Sequence, residues 1–223
     1  MPELVYGIDS KSIAPKGLVG SNPTPGIVRA SDGGDAKRLA AMLRRAPHVM
    51  EALHAAREVG GPDWLIAAGA IRDAVWDALH DRPPAMPRDI DIGFFDPDDL
   101  TPDRDRGVED ALRARASRLP WQAKNQAAVH LWYPRVFGIQ VPPFRSSAEA
   151  VATFPETASC VGVRLLDDDD LLVVTPHGLD DLFACICRHN PTRVSASFYE
   201  RRVAGKDWSS RWPKVRVIVP ARA

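Results

Sequence analysis

The run Trp64-Leu65-Ile66-Ala67-Ala68-Gly69-Ala70-Ile71-Arg72-Asp73, followed by Pro87-Arg88-Asp89-Ile90-Asp91-Ile92, constrains this chain more than any other stretch. It reads as a strand, a glycine turn, a helix and a second strand that carries two aspartates. In a strand the side chains at i and i+2 share a face, so Asp89 and Asp91 should point the same way, about 6 to 7 Å apart along the strand, with Ile90 and Ile92 turned into the core. Two hard oxygen ligands at that spacing suit Mg²⁺ (or Mn²⁺), held singly or as a pair that stabilises the attacking and leaving oxygens of a displacement at phosphorus. Gly69 stands between the apolar run and the helical pattern Ile71, Val75, Leu79. A glycine there lets the backbone N–H groups of Gly69 and Ala70 approach an anion at a helix N-terminus.

Alternation and turn signals divide the rest of the chain. Residues 1–33 are rich in Gly, Pro and Ser without a sustained period and read as a flexible N-terminal arm. Helical spacing begins at Asp35, read as an N-cap, and resumes after Pro47. Strands are expected near Trp64–Ala67, Asp89–Phe95 and Trp121–Lys124, and helices over residues 70–80, 105–117 and 178–187. Cys160–Leu165 and Leu171–Thr175 read as a hairpin whose polar tip is Asp167–Asp170. Cys185-Ile186-Cys187 fits neither a zinc knuckle nor a redox pair, so Cys160, Cys185 and Cys187 are expected to be buried thiols.

The formal net charge is zero, which argues against a surface that tracks a phosphate backbone along its whole length. The charge is unevenly spread, however. From Arg188 onward there are nine basic residues against Glu200 and Asp207, interleaved with Phe198, Tyr199, Trp208 and Trp212. This basic, aromatic extension (188–223) suits either RNA binding, with bases stacking on rings, or packing against the preceding domain (34–187). No signal peptide and no apolar run of membrane-spanning length stands out, so a cytoplasmic protein without membrane contact is expected.

The order Ala68-Gly69-Ala70-Ile71-Arg72-Asp73, then Arg88-Asp89-Ile90-Asp91-Ile92, resembles the head domain of CCA-adding tRNA nucleotidyltransferases and poly(A) polymerases of the DNA polymerase β-like superfamily, where Gly-Gly-x-Val-Arg-Asp precedes Asp-x-Asp. Trp121–Trp132, Phe154-Pro155-Glu156-Thr157-Ala158, Pro176–Phe183 and Lys206-Asp207-Trp208 extend the match toward a stand-alone bacterial nucleotidyltransferase family, over about residues 36–217. The resemblance implies an α+β fold, a mixed sheet flanked by helices. It implies transfer of a nucleoside monophosphate from a nucleoside triphosphate to an acceptor hydroxyl, whether on RNA, a small molecule or a protein. Asp89 and Asp91 would hold Mg²⁺. Gly69 and Ala70 would meet the phosphates, Arg72 would neutralise the triphosphate or the departing pyrophosphate, and Asp73 would contact the ribose or fix Arg72.

Two departures stand out. Ala68 replaces the first glycine, and the third carboxylate that many such enzymes take from the following strand has no counterpart, because residues 111–148 contain no Asp or Glu. That strand offers Lys124 and Asn125 as nucleotide contacts instead, with His130 nearby. Glu109-Asp110-x-x-Arg113 spells a base-selecting motif of the CCA-adding enzymes but follows the Asp-x-Asp strand directly, and is read as coincidence. The alternatives are a nucleotide-binding or interaction module that has lost catalysis, and an RNA-modifying head that needs a partner.

Overall fold

The computed structural model describes residues 26–220. The elements are β1 (Ile27–Arg29), α1 (Gly34–Leu43), α2 (Pro47–Val59), β2 (Leu65–Ala67), α3 (Gly69–Leu79), β3 (Ile90–Phe94), α4 (Pro102–Arg115), β4 (Trp121–Asn125), α5 (Val129–Phe137), α6 (Ser147–Val151), β5 (Gly162–Leu165), β6 (Leu171–Val174), α7 (Asp180–Phe183), β7 (Ile186–Arg188), α8 (Ala196–Ala204), α9 (Trp208–Arg211) and β8 (Arg216–Ile218). Six strands form a mixed sheet in the order β1-β6-β5-β2-β3-β4, antiparallel throughout except for the parallel β3–β4 pair. The α+β class with helices flanking a mixed sheet is as expected.

The period-two pattern of β3 sets the layers. Ile90, Ile92 and Phe94 are fully buried and join Ile66, Val163 and Val173 in the main core, which the apolar stripes of α1, α2 and α3 cover. The opposite face buries Leu65, Ala67 and Val174 against Ala148, Val151 and Phe154. Asp91 belongs to that second face, since Ile92 pairs with Ile66 and Gly93 with Leu65 in the ladder. Its carboxyl therefore rises beside apolar neighbours.

Three local expectations need correction. Residues 27–29 of the presumed arm form the edge strand β1, antiparallel to β6; residues 1–25 lie outside the described residues. The N-cap of α1 is Gly33, and Asp35 sits inside the first turn, where its charge favours the helix dipole. The helix expected over 178–187 stops at Phe183: Cys185 takes a left-handed φ of 53°, and Ile186–Arg188 turn into a strand paired in parallel with Arg216–Ile218. A partner some thirty residues further along the chain, which no local pattern reveals, decides that switch. The tip Asp167–Asp170 is solvated, as its polar run implies, and also carries ion pairs: Asp168 and Asp170 with Arg29, and Asp169 with Arg57. All three cysteines are free, buried thiols.

Candidate active site

The chain passes from β2 to α3 through a single strained residue. Ala68 adopts φ 54° and ψ −119°, a conformation ordinarily left to glycine, and its side chain offers α3 no cap. The N–H groups of the first turn, at Gly69 and Ala70, are thus left to an outside acceptor. Gly69 itself has no positive φ. Its role is space: a Cβ there would lie 3.8 Å from Asp89 Oδ1 and 3.9 Å from an Arg72 nitrogen.

Around this turn lies a cleft lined by Gly69, Arg72, Asp89, Asp91, Glu156 and Lys206, with Phe154, Pro155, Ser159 and Arg202 completing its walls. Asp89 stands just before β3 and Asp91 within it. Asp91 Oδ1 is sealed from solvent and makes no hydrogen bond. Burial first, and the neighbouring Asp89 charge second, push the Asp91 carboxyl well above the usual carboxylate range. An orphaned carboxylate oxygen beside a second carboxylate fits a divalent cation, whose charge would remove both penalties. Among the described residues no group of three or more metal-ligating His, Cys, Asp or Glu side chains occurs, so further ligands would have to come from substrate or water.

Arg72 is buried, not a surface residue. Its guanidinium donates to Asp73 Oδ1 at 2.7 Å and 3.1 Å and to Ser159 Oγ at 2.9 Å. It also lies over the rings of Trp76 and Trp208, 5.1 and 4.9 Å from their centroids. Burial opposes its charge, but Asp73 and Glu156 hold its pKa above the ordinary value. Asp73 does not line the cleft and fixes Arg72 from behind, a geometry shared with Arg211, 3.5 Å from the other Asp73 oxygen.

With this geometry in view, comparison with known proteins gives two matches. The model of a family described as nucleotidyltransferase matches residues 54–217. The chain belongs to this nucleotidyltransferase family. No curated protein matches it. A solved NMR structure, reported to reveal a CCA-adding enzyme head domain, superposes with a TM-score of 0.71 at 28% identity, covering 82% of this chain and 96% of the other. The fold of this nucleotidyltransferase is thus that of a CCA-adding head.

Lys124 and Asn125 are not brought to the cleft. The Lys124 ammonium is 2.5 Å from Asp105. Asn125 is fully buried and holds the loop after β3, donating to the Asp96 and Asp99 carbonyls at 2.7 and 2.8 Å and accepting from Asp96 N at 3.0 Å. Glu109 and Arg113 tie α4 to β4: Ala123 N donates to Glu109 at 3.0 Å, and Arg113 pairs with Glu109 at 2.6 Å. His130 and the side chain of Ala70 do not line the cleft either.

Three cleft residues of the nucleotidyltransferase escaped sequence reasoning. Glu156, at 0% exposure, is a third carboxylate, supplied by the loop before β5 and not by the strand after Asp-x-Asp. It pairs with Arg202, which together with Arg72 keeps it ionised below the usual range despite its burial. Lys206 follows the end of α8. Glu156 and Lys206 fall within Phe154–Ala158 and Lys206–Trp208, runs that carry the family resemblance, so a signal existed without a chemical role attached. The aromatics of the extension prove to be core: Phe198, Tyr199, Trp208 and Trp212 are all buried and offer no ring for base stacking. No helix of the described residues is long and apolar enough to cross a membrane.

Proposed function

We propose that this nucleotidyltransferase moves a nucleoside monophosphate from a nucleoside triphosphate to an acceptor hydroxyl, with Asp89 and Asp91 holding the divalent cation. The observation that carries the reading is the unpartnered, desolvated Asp91 oxygen beside Asp89 at the open end of α3. When bound, Mg²⁺ would supply Lewis acidity at phosphorus and lower the pKa of the acceptor hydroxyl. The N–H groups of Gly69 and Ala70 donate to the phosphate oxygens without any side chain in the way, and Arg72, held rigid by Asp73 and Ser159, sets a fixed positive charge beside the phosphates. Formal charge is consistent with this. Asp89, Asp91 and Glu156 balance Arg72, Arg202 and Lys206, so divalent cations entering the cleft need a polyanion beside them.

A module that had lost catalysis would be expected to discard so unfavourable a carboxylate; keeping Asp91 supports the active reading. The test is Mg²⁺-dependent pyrophosphate release from each of the four triphosphates, with fractionated cell extract as the source of acceptor. Asp89→Asn and Asp91→Asn should each abolish turnover while the thermal transition remains cooperative. Turnover equal to wild type in both variants would overturn the reading.

A further inference from the structure

The three cations of the cleft are not equivalent. Arg72 is bound to Asp73 and Ser159, and Arg202 to Glu156. Lys206 makes no side-chain hydrogen bond or ion pair with any other described residue, although it is half-buried and lines the same cleft as Asp89 and Asp91. Burial, and then the charges of Arg202 and Arg72, press its pKa below the ordinary lysine value.

Its position is nonetheless fixed. On one side Gly205 closes α8 and the Lys206 N–H donates to the Val203 carbonyl at 3.1 Å; on the other, two residues on, Trp208 is buried edge-on against Trp76. α8 is itself anchored by the Tyr199 hydroxyl, which donates to the Cys187 carbonyl at 2.6 Å. A lysine held in place, desolvated, without an acceptor and flanked by two guanidiniums is an incomplete anion site.

Resting on the nucleotidyl-transfer reading, we propose that Lys206 binds the β- and γ-phosphates of the triphosphate and then the departing pyrophosphate, so that the C-terminal segment completes the substrate site. The α-phosphorus must lie against Asp89 and Asp91. The two outer phosphates carry most of the negative charge, and the cationic wall formed by Arg72, Arg202 and Lys206 is where that charge is matched. Lys206 acts by charge and hydrogen bonding alone, and no bond to it forms or breaks. Because it is the cleft cation whose side chain has no bonded acceptor among the described residues, Lys206 distinguishes triphosphate from monophosphate, whereas Arg72 beside the α3 turn meets both.

The experiment is calorimetry on the full chain, wild type, Lys206→Met and Lys206→Arg, with Mg²⁺ and each of three probes: inorganic pyrophosphate, an α,β-methylene nucleoside triphosphate and the matching monophosphate. Lys206→Met should weaken pyrophosphate and triphosphate binding about tenfold or more while leaving monophosphate binding within about twofold, and Lys206→Arg should recover most of the loss. Its melting temperature should equal or exceed that of wild type, since a desolvated charge is removed. Unchanged pyrophosphate affinity in Lys206→Met, or an equal loss for all three probes, would overturn the assignment while leaving nucleotidyl transfer standing. Failure of wild type itself to bind either polyphosphate would overturn both.

Discussion

Single residues of this protein carry opposing demands of stability and chemistry. Asp91 is the clearest case, because burial and Asp89 raise its pKa in the folded chain. A carboxyl whose folded pKa exceeds its unfolded value binds more protons when folded, so the metal-free protein should lose stability as pH rises from about 4 through the raised Asp91 pKa. Asp91→Asn should remove that loss: its metal-free melting temperature should exceed wild type at pH 8 and match it near pH 4, while activity vanishes. Thermal unfolding at both pH values checks this, and a variant less stable than wild type at pH 8 would contradict it. Ala68 is the second case. Its φ of 54° with ψ −119° is costly for any residue with a Cβ, and Ala68→Gly should stabilise the protein by about 1 kcal/mol once the greater chain entropy of unfolded glycine is offset. Arg72 joins both roles: Arg72→Ala would leave Asp73 without its closest partner and should destabilise the fold by about 3 kcal/mol as well as weaken phosphate binding. Denaturant melts should show the first effect even without nucleotide.

At the level of elements, the cleft is built where three segments end: β2 into α3, the start of β3, and the Phe154–Glu156 loop. The loop has no regular ladder, so its carbonyls depend on side-chain donors, Asn190 above all. Asn190, 1% exposed, donates to the Ala152 and Phe154 carbonyls at 2.8 Å each, and its N–H donates to the Pro155 carbonyl at 2.9 Å. Asn190→Ala removes the shared donor and leaves the Ala152 carbonyl to His177 Nε2 at 3.0 Å and the Phe154 carbonyl to the Cys160 thiol at 3.5 Å, a loss of about 1 to 3 kcal/mol. The same change should loosen Glu156 and, through it, Arg202 on α8. Nucleotide affinity should therefore fall along with stability, and wild-type affinity in a destabilised Asn190→Ala would separate the loop from the site.

Across the whole molecule, the basic extension and the head close on each other through tryptophan. Trp76 of α3, fully buried, meets Trp208 and Trp212 edge-on with ring centroids 6.0 and 5.3 Å away. Beneath them the buried Asp77 accepts from Trp212 Nε1 at 2.8 Å and pairs with Arg211 at 3.1 Å. A chain ending at Lys206 would lose two buried tryptophans, at about 3 to 5 kcal/mol each, and leave the Asp77 charge uncovered, against a total stability of about 5 to 15 kcal/mol for a domain. We expect it to lack a cooperative thermal transition. A truncated chain that melts at the wild-type temperature would show that the extension is dispensable to the head.

The sequence alone determined what depends on local order. Alternation in Ile90–Phe94 put the aspartates on one face and the isoleucines in the core, the glycine before Ile71 opened a helix, and the paired hydrophobic runs of β5 and β6 made a hairpin, because side-chain period and turn chemistry act over a few residues. Tertiary structure decided what depends on who the neighbours are. The β-ladder of Ile186–Arg188 required Arg216–Ile218, the acids at the hairpin tip required Arg29 and Arg57, and Lys124 was claimed by Asp105. The cleft was completed the same way: Glu156, Arg202 and Lys206 lie 65 or more residues beyond Asp91 in the chain. Burial and charge pairing are properties of space, and a chain read in one dimension shows which residues can carry charge but not which of them will share a desolvated cleft.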